Sequence, residues 1–483
     1  MNTTPPKFVL MGIPFHDVTF AETVEWAKER IRWGVPAYMA TANLDFVMQA
    51  WRDPELQRIL LEASLVIADG MPIVWMSKMF GPPLRERVTG SDLVPMLAGM
   101  CRDEGFSIFY LGGAPGVAEK AAAELTRRFP GLKTAGCYSP PLADVVNMDH
   151  AAILKRLEEA KPDLLLVAFG APKQEKWANM HVRQWKVPLA IGVGGTLDFL
   201  AGAQTRAPQF VQKIGFEWLW RMFTNPKRLF RRYAGNLSFF VGVSARLLWL
   251  RARFSKVGKR AEPFFQGLGS LSDAMLTAPW LGLLDADAAR QWVHFLDTTA
   301  TSRSIALNMT SVRWLSSLEL GALLALSQAR RRCGARLLLA GLGGHARRLV
   351  DTCRLDRYLE LVDTQEQLTQ AVRGLQTPAH RGRLARDENN RLVFALPQEL
   401  TAANLPEWRS RWELAWKNAR HEVREVVVDG AATRFLDSSA LGFLVGIKKA
   451  VDAQGLVWKC GAFGSAVQQI MKIARVDKLL LAD

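Results

Sequence analysis

The chain has 483 residues, enough for two to four domains that each bury a core. Hydrophobic residues make up 49% and charged residues 22%, a balance that indicates a globular protein and excludes a disordered one. The formal net charge of +16 indicates an anionic partner, which could be nucleic acid, anionic lipid or a phosphorylated substrate. The five cysteines are scattered and form no Cys-x-x-Cys pair, which argues against disulfides and structural zinc and favours a reducing cytoplasm.

The amino-terminal segment shows no basic region followed by a sustained apolar run, so we expect no signal peptide. No apolar run reaches the roughly 18 residues that a membrane-spanning helix needs. The best candidate, 237–250, is short and is interrupted by Arg246. The sequence therefore predicts a cytoplasmic protein without a spanning segment.

Short apolar runs alternate with helical patterns from about Met11 to Gly202, which predicts βα units and a mainly parallel α/β sheet. The predicted strands are 37–41, 64–68, 107–111, 164–169 and 189–193. Each run ends in small or polar residues. Because ligands bind at the carboxyl ends of strands in an open α/β sheet, we expect these ends to form one functional rim.

Two of the strand ends are rich in glycine: Gly112-Gly113 and Gly194-Gly195. Free backbone N–H groups at such turns favour a phosphate, especially where a helix follows. Tight βα turns also use glycine for purely steric reasons, so both interpretations stay open. The absence of a Gly-x-x-x-x-Gly-Lys-Ser/Thr motif argues against a P-loop NTPase.

Asp69 follows the apolar run 65–68 and precedes Gly70, which places a carboxylate at the end of a predicted strand. A carboxylate there can act as a general base if a substrate hydroxyl lies within hydrogen-bond reach. The alternative is that Asp69 caps the helix predicted to start near Met71-Pro72.

Polar clusters follow one another along this half of the chain in the order found in one family. They are Thr41-Ala42-Asn43, 68–72, 87–92, 170–177, 192–198, Arg206-Ala207-Pro208, 217–221 and 226–233. In these eight clusters the chain resembles the WecG/TagA/CpsF glycosyltransferases over about residues 8–245.

The resemblance implies a Rossmann-like fold and an inverting transfer of a sugar from a nucleotide donor. Members of the family often use UDP-N-acetylmannosamine or a relative, and the acceptor is a sugar linked to polyprenyl pyrophosphate. The resemblance implies no cofactor and no metal, and the predicted catalytic region has no Asp-x-Asp pair of the kind that metal-dependent transferases use.

The resemblance also implies roles for individual residues. Asp69 is expected to be the general base that deprotonates the acceptor hydroxyl. Thr41 and Asn43 are expected to line the same pocket, Arg87 to bind near the substrate phosphates, and Gln174 to position the substrate.

The segment 206–260 carries thirteen Lys/Arg residues against a single acid, Glu217, together with many aromatic residues. By resemblance it closes over the active site at the membrane. By the same resemblance the candidates for stabilising the departing UDP are Arg221, Arg228 and either Arg231 or Arg232. The remaining basic and aromatic residues are typical of contact with an anionic membrane surface. Nucleic-acid binding is the weaker alternative, because no nucleic-acid fold signature accompanies the segment.

The second half of the chain repeats itself with an offset of 121 residues, which pairs Gly321 with Gly442 and Asp356 with Asp477. The segment 428–442 resembles the signature of STAS domains, and that resemblance implies a regulatory phosphorylation site at Ser438. The alternative is that Asp437 and Ser438 merely cap a helix. The first copy departs from the pattern, with Ser316 in place of the Asp and Ser317 at the position of the phosphorylation site.

The predicted domains are a transferase core (1–205), a basic helical appendage with lid and membrane contact (206–260) and two small α/β STAS-like domains. The latter are 261–376 and 391–483, joined by a polar linker (377–390). The predicted protein is a metal-independent inverting UDP-sugar glycosyltransferase of cell-envelope or exopolysaccharide synthesis, peripheral at the inner face of the membrane. A STAS-binding protein, a kinase and a second copy of the chain are candidate partners. The rival hypothesis is an inactive transferase-like sensor that acts in STAS partner switching.

Overall fold

A computed structural model gives the fold. It describes residues 5–80, 83–204, 207–208, 210–211, 220, 240–249, 252, 269–272, 275–279, 291, 293–294, 303–310, 312, 315–333, 335–364, 366–368, 370–371, 382–419 and 422–481.

The first half is built on a six-stranded parallel sheet in the order β4-β3-β8-β7-β5-β6, with a two-stranded antiparallel hairpin, β1-β2, beside it. The strands are β1 (Lys7–Leu10), β2 (Ile13–His16), β3 (Ala37–Ala42), β4 (Leu65–Ala68), β5 (Ser107–Gly112), β6 (Lys133–Tyr138), β7 (Leu164–Ala168) and β8 (Leu189–Gly192). The predicted α/β class and the five predicted strands are confirmed. The sequence analysis missed β6, whose residues are half-buried or exposed and lack a continuous apolar run.

Helices connect the strands and cover both faces of the sheet. They are α1 (Phe20–Trp33), α2 (Leu44–Arg52), α3 (Pro54–Glu62), α4 (Met71–Phe80), α5 (Gly90–Glu104), α6 (Val117–Arg128), α7 (His150–Ala160), α8 (Lys173–His181) and α9 (Thr196–Leu200). Every residue of β3 is buried, as expected for a parallel strand covered on both faces. Successive residues of β3 enter opposite cores: Tyr38 lies in one apolar cluster and Met39 in the other.

The second half contains two further mixed sheets. The first has the order β13-β12-β11-β10-β9 and the second the order β14-β15-β17-β19, with a short parallel pair β16-β18 beside it. The strands are β9 (Gly269–Ser272), β10 (Met275–Pro279), β11 (Ser304–Asn308), β12 (Leu337–Ala340), β13 (Glu360–Val362), β14 (Arg383–Arg386), β15 (Arg391–Ala395), β16 (Glu399–Leu400), β17 (Glu425–Asp429), β18 (Phe435–Leu436) and β19 (Val457–Gly461). The helices are Ser317–Arg332, Gly344–Thr352, Leu405–Ala419, Ser438–Ala453, Ser465–Ile473 and Asp477–Leu480.

The repeat seen in the sequence reappears in the arrangement of these elements. In each sheet an antiparallel strand is followed by a run of parallel strands, β10-β11-β12-β13 in the first copy and β15-β17-β19 in the second. Helix Ser317–Arg332 and helix Ser438–Ala453 start 121 residues apart. Strand β14 lies inside the segment predicted as a linker. That boundary was therefore wrong, because 383–386 pair with β15 and belong to the second folded unit.

The first copy packs directly on the first half of the chain. One apolar cluster runs without interruption from Phe8 and Phe15 of the hairpin to Ile305 and Leu323 of the first copy. The second copy has a separate apolar cluster of its own. The hairpin therefore packs against both the six-stranded sheet and the first copy, and the two halves of the chain share one apolar core.

Most of the basic segment 206–260 lies outside the described residues, but residues 240–249 form a helix. Phe240, Val243 and Leu247 pack against the apolar cluster that the first half of the chain shares with the first copy. The opposite face exposes apolar side chains, with Val241 56% and Trp249 57% exposed. Among the described residues, no helix combines the length and the apolar character needed to cross a membrane.

Candidate active site

The carboxyl ends of four neighbouring strands form one rim, because the sheet is parallel. Register pairs β3 with β4 at Ala42 and Ala68, and β3 with β8 at Ala40 and Gly192. Gly192 also pairs with β7. The loops that follow β3, β4, β7 and β8 therefore leave the sheet side by side, and the polar residues of the sequence motifs lie in these loops.

The loops after β3 and β4 bring Asp69 alongside Asn43. The backbone N–H of Asp69 donates to the carbonyl of Ala42 at 2.9 Å. A Cβ placed on Gly70 would lie 3.9 Å from the Cβ of Asn43. The side chain of Asn43 accepts from the N–H groups of residues 45 and 46 at the start of α2, so it is held as a helix cap. The Asp69 side chain is half-buried at this point of the rim.

The segment before α5 adds Arg87 to the same edge. The N–H of Val88 donates to the carbonyl of Ala68 at 3.1 Å, so Arg87 lies beside the end of β4. A Cβ on Gly90 would lie 3.5 Å from Thr41 and from Thr196. The first turn of α5 therefore packs closely against the ends of β3 and β8.

Thr41 and Gln174 hold the end of β8 from two sides. The hydroxyl of Thr41 donates to the carbonyl of Gly192 at 2.8 Å. The side-chain oxygen of Gln174 accepts from the N–H of Gly194 at 3.1 Å. Gln174 is only 1% exposed, and its amide nitrogen donates to Glu175 at 2.8 Å. In this structure Gln174 fixes the Gly194 loop, which fits a positioning role.

Glu175 is a buried carboxyl group under the same loop. It accepts from the hydroxyl of Tyr38 at 3.0 Å as well as from Gln174, and its other oxygen has no hydrogen-bond partner among the described residues. Burial raises the pKa of Glu175 to about 7. Only glycine fits at 192, because a Cβ there would come within 2.5 Å of both Gln174 and Tyr38.

The glycines after β5 lie further along the rim. Gly112 pairs with Ala168 of β7, and β5 is separated from β3 by β7 and β8. A Cβ on Gly112 would come 2.7 Å from the carbonyl oxygen of Ala168, and its φ is +105°. Glycine at 112 therefore has a steric reason, whereas the phosphate-binding role of Gly112 and Gly113 stays a prediction.

Sequence reasoning missed three contributors to this edge: Tyr38, Glu175 and Thr196. Glu175 stood inside the motif 170–177, where only Gln174 was singled out. Tyr38 lies inside the buried strand β3, and no local pattern marks it. The four predicted arginines, Arg221, Arg228, Arg231 and Arg232, lie outside the described residues. Among the residues that the structure describes, no group of three or more His, Cys, Asp or Glu is placed to hold a metal ion.

The family model described as "Glycosyl transferase WecG/TagA/CpsF family" matches residues 8–253, which include the whole rim and much of the basic segment. The chain belongs to this family. A second family model, described as "STAS domain", matches residues 383–481. The WecG/TagA/CpsF and STAS resemblances are thus confirmed, the latter for the second copy. STAS identity of the first copy stays a prediction that its equivalent strand and helix order supports.

Curated relatives of the family match the same half of the chain. A Staphylococcus aureus (strain MRSA252) protein is 30% identical over 227 residues, which are 47% of this chain and 87% of the relative. A Bacillus spizizenii protein is 31% identical over 192 residues, 40% of this chain and 73% of the relative. Both are named N-acetylglucosaminyldiphosphoundecaprenol N-acetyl-beta-D-mannosaminyltransferase. A crystal structure of an SsGBP variant matches 56% of this chain and 97% of its own at 12% identity, with a TM-score of 0.16.

The two predicted phosphorylation sites each lie at the start of a helix. Ser316 caps helix Ser317–Arg332 with a capping box, and Asp437 caps helix Ser438–Ala453 by accepting from the N–H of residue 440. The capping interpretation therefore holds for Asp437. Ser317 is buried, and its hydroxyl has no hydrogen-bond partner among the described residues. Ser438 is 2% exposed and contacts the transferase half. Phosphorylation of either serine stays a prediction.

Proposed function

We propose that this glycosyltransferase moves an N-acetylmannosamine-type sugar from a UDP-sugar to a sugar linked to polyprenyl pyrophosphate, with inversion and without a metal. The observation that carries the proposal is the position of Asp69 beside Asn43 and Arg87 at the ends of β3 and β4. The names of two relatives, which specify a mannosaminyl group and a diphosphoundecaprenol-linked acceptor, support the substrate class.

In the proposed reaction Asp69 removes the proton from the acceptor hydroxyl as that oxygen attacks the anomeric carbon of the donor. The new carbon–oxygen bond forms while the bond from the anomeric carbon to the UDP oxygen breaks. The proton passes to the carboxylate of Asp69, and UDP leaves with the bonding electrons. A single displacement of this kind inverts the anomeric centre.

The departing pyrophosphate develops negative charge that needs stabilisation. Arg87 lies at the rim. By family resemblance Arg221, Arg228 and either Arg231 or Arg232 are proposed to close over the leaving group. Guanidinium groups bind phosphate oxygens through paired N–H donors, so they can supply this stabilisation without a metal.

The acceptor lipid requires the enzyme to work at a membrane surface, and the helix at 240–249 suits that task. Its inner face packs on the transferase half, and its outer face exposes Val241, Leu248 and Trp249 beside Arg246. An apolar face with basic neighbours is typical of helices that lie in the interface of an anionic membrane. Peripheral attachment at the cytoplasmic face of the membrane is therefore part of the proposal.

The test is a transfer assay with the purified full chain, a panel of UDP-sugars and polyprenyl-pyrophosphate-linked N-acetylglucosamine. We expect UDP release and a lipid-linked disaccharide, detected by mass spectrometry, with UDP-N-acetylmannosamine as the best donor. Anomeric configuration by NMR tests inversion, and excess chelator tests metal independence. A folded protein that releases no UDP with any donor would favour the rival hypothesis of an inactive sensor.

A further inference from the structure

The second copy meets the transferase half through the predicted phosphorylation site itself. The backbone N–H of Ser438 donates to one carboxylate oxygen of Glu55 at 2.5 Å, and the Ser438 hydroxyl donates to the other at 2.8 Å. Glu55 is 1% exposed, and it lies in the first turn of α3. Both hydrogen-bond donors of Ser438, its backbone N–H and its hydroxyl, are therefore bound by one carboxylate of the transferase half.

A buried lysine completes this contact. The ammonium group of Lys176 lies 2.8 Å from Glu55 and 2.7 Å from Asp53. Burial lowers the pKa of Lys176, but the two carboxylates outweigh it and the pKa is raised. Buried charges persist when they are paired and hydrogen-bonded, and this cluster of one cation, two carboxylates and the Ser438 donors meets that requirement.

Further contacts surround the cluster on both sides. Arg58 of α3 pairs with Glu399 at 2.7 Å, and its guanidinium lies 4.2 Å from the centre of the Phe435 ring. The side-chain amide of Gln469 donates to the carbonyl of Arg52 at 3.0 Å. The second copy thus recognises α3 through several specific contacts.

Lys176 connects this interface to the candidate active site. It directly follows Gln174 and Glu175 on α8, and those two residues hold the Gly194 loop and pack against Gly192. Helix Ser438–Ala453 itself packs against α8. Helix α8 therefore carries both Lys176, which pairs with the Glu55 carboxylate that binds Ser438, and the residues that support the rim.

We propose that the partner of the STAS signature is the transferase half of this same chain, which binds Ser438 through Glu55, itself paired with Lys176, and that this docking holds the Gly194 loop in place. Negative charge at position 438 would face the carboxyl groups of Glu55, Asp437 and Asp53. The cations nearby are Lys176, already paired with Glu55 and Asp53, and Arg58, already paired with Glu62 and Glu399. Such charge would therefore release the STAS domain and loosen the loop. The effect on transfer rests on the proposed function, whereas the docking does not.

The test is hydrogen exchange on the full chain, with Ser438→Asp compared with Ser465→Asp. Both substitutions place a carboxylate at the first residue of a helix in the same domain, where the helix dipole favours it, but Ser465 is exposed. We expect exchange in 54–62 and in 189–200 to rise on the order of tenfold in Ser438→Asp and to stay unchanged in Ser465→Asp. Ser438→Ala, which adds no charge, should have a smaller effect.

The double variant Ser438→Asp/Glu55→Gln separates repulsion from general damage to the domain. Removing the facing carboxylate should restore protection of 54–62, which a misfolded STAS domain would not do. Unchanged exchange in 54–62 in Ser438→Asp would overturn the docking, and a rise confined to 54–62 would overturn the link to the loop. If the exchange results hold but no protein transfers sugar, the proposed function fails and the docking stands.

Discussion

The side-chain oxygen of Gln174 accepts a hydrogen bond from the N–H of Gly194 across 3.1 Å, and this contact ties α8 to the loop after β8. The amide nitrogen of Gln174 is occupied by Glu175. In this arrangement Gln174 fixes the backbone of the Gly194 loop at the rim. These two hydrogen bonds account for a glutamine at this position without a direct contact with substrate.

Replacing Gln174 by Ala should leave the Gly194 N–H without its partner and loosen the loop. Gly194 is half-buried, and loss of a hydrogen bond to such a donor costs about 1 kcal/mol or more, so we expect kcat/KM for transfer to fall by about fivefold to tenfold. The measurement is steady-state kinetics with both substrates varied. Gln184→Ala, which removes an exposed amide at the end of the same segment, should keep wild-type kinetics. Equal losses in both variants would contradict the positioning role.

Asp69→Asn should remove the proposed base while keeping the size and polarity of the side chain. Loss of a general base lowers turnover by on the order of 10²–10⁴-fold, so we expect transfer to fall in that range with an unchanged melting temperature. Asp103→Asn makes the same chemical change at an exposed position near the end of α5 and should be silent. Near-normal turnover of Asp69→Asn would rule out the base assignment.

Glu175→Gln should change how stability depends on pH. Burial raises the folded pKa of Glu175 to about 7 from an ordinary value of 4.5, so the folded protein keeps a proton that the unfolded chain has lost. Stability should therefore fall as pH rises from about 4.5 to about 7, and the fall from this residue amounts to about 1–3 kcal/mol. Glutamine cannot ionise, so the variant should lose less stability over this range.

The measurement is the melting temperature from pH 5 to pH 8 in both proteins. Asp437 retains its own dependence of the same sign, because burial and the charge of Glu55 raise its pKa to about 7. The informative quantity is therefore the difference between wild type and variant. Glu158→Gln, at an exposed site on α7, is the control. Parallel curves for wild type and Glu175→Gln would show that Glu175 does not titrate in this range.

Gly321 and Gly442 occupy equivalent positions of the repeat but should respond in opposite directions to alanine. A Cβ on Gly321 would collide with the carbonyl oxygen of Lys7 in the hairpin, whereas a Cβ on Gly442 meets nothing within 4 Å. We expect Gly442→Ala to stabilise by about 0.5–1 kcal/mol through helix propensity. Gly321→Ala should destabilise by about 1–3 kcal/mol through overpacking. Thermal unfolding of the pair checks this, and stabilisation by both would contradict the close packing of the hairpin.

Several features of the site follow from local sequence pattern. Apolar runs that end in glycine or polar residues located β3, β4, β5, β7 and β8, since buried parallel strands are continuous apolar segments. The order of short motifs indicated the family, and with it Asp69, Asn43 and Arg87. The strand and family predictions are confirmed because their information lies within a few residues of chain, whereas the roles of Asp69, Asn43 and Arg87 stay predictions.

The tertiary structure decided which of these residues support one another. Nothing local in the motif 170–177 says that Gln174 holds a loop 20 residues further on, or that Glu175 is enclosed by Tyr38. The sequence analysis did not predict the hairpin or β6. Their strands are short, and their formation depends on pairing with a neighbouring strand, which local periodicity does not show. The residues of β6 are half-buried or exposed, and such a strand forms because of the strand beside it.

By itself the sequence determined the parallel α/β class, the positions of the rim loops and the existence of the repeat, because each is written in local periodicity or in a fixed offset. Only the tertiary structure decided that Ser438 lies against Glu55, 383 residues away, and that Gly321 needs to be glycine while Gly442 does not. The physical reason is that burial, pairing of charges and close packing depend on neighbours in space, and distant parts of the chain supply them.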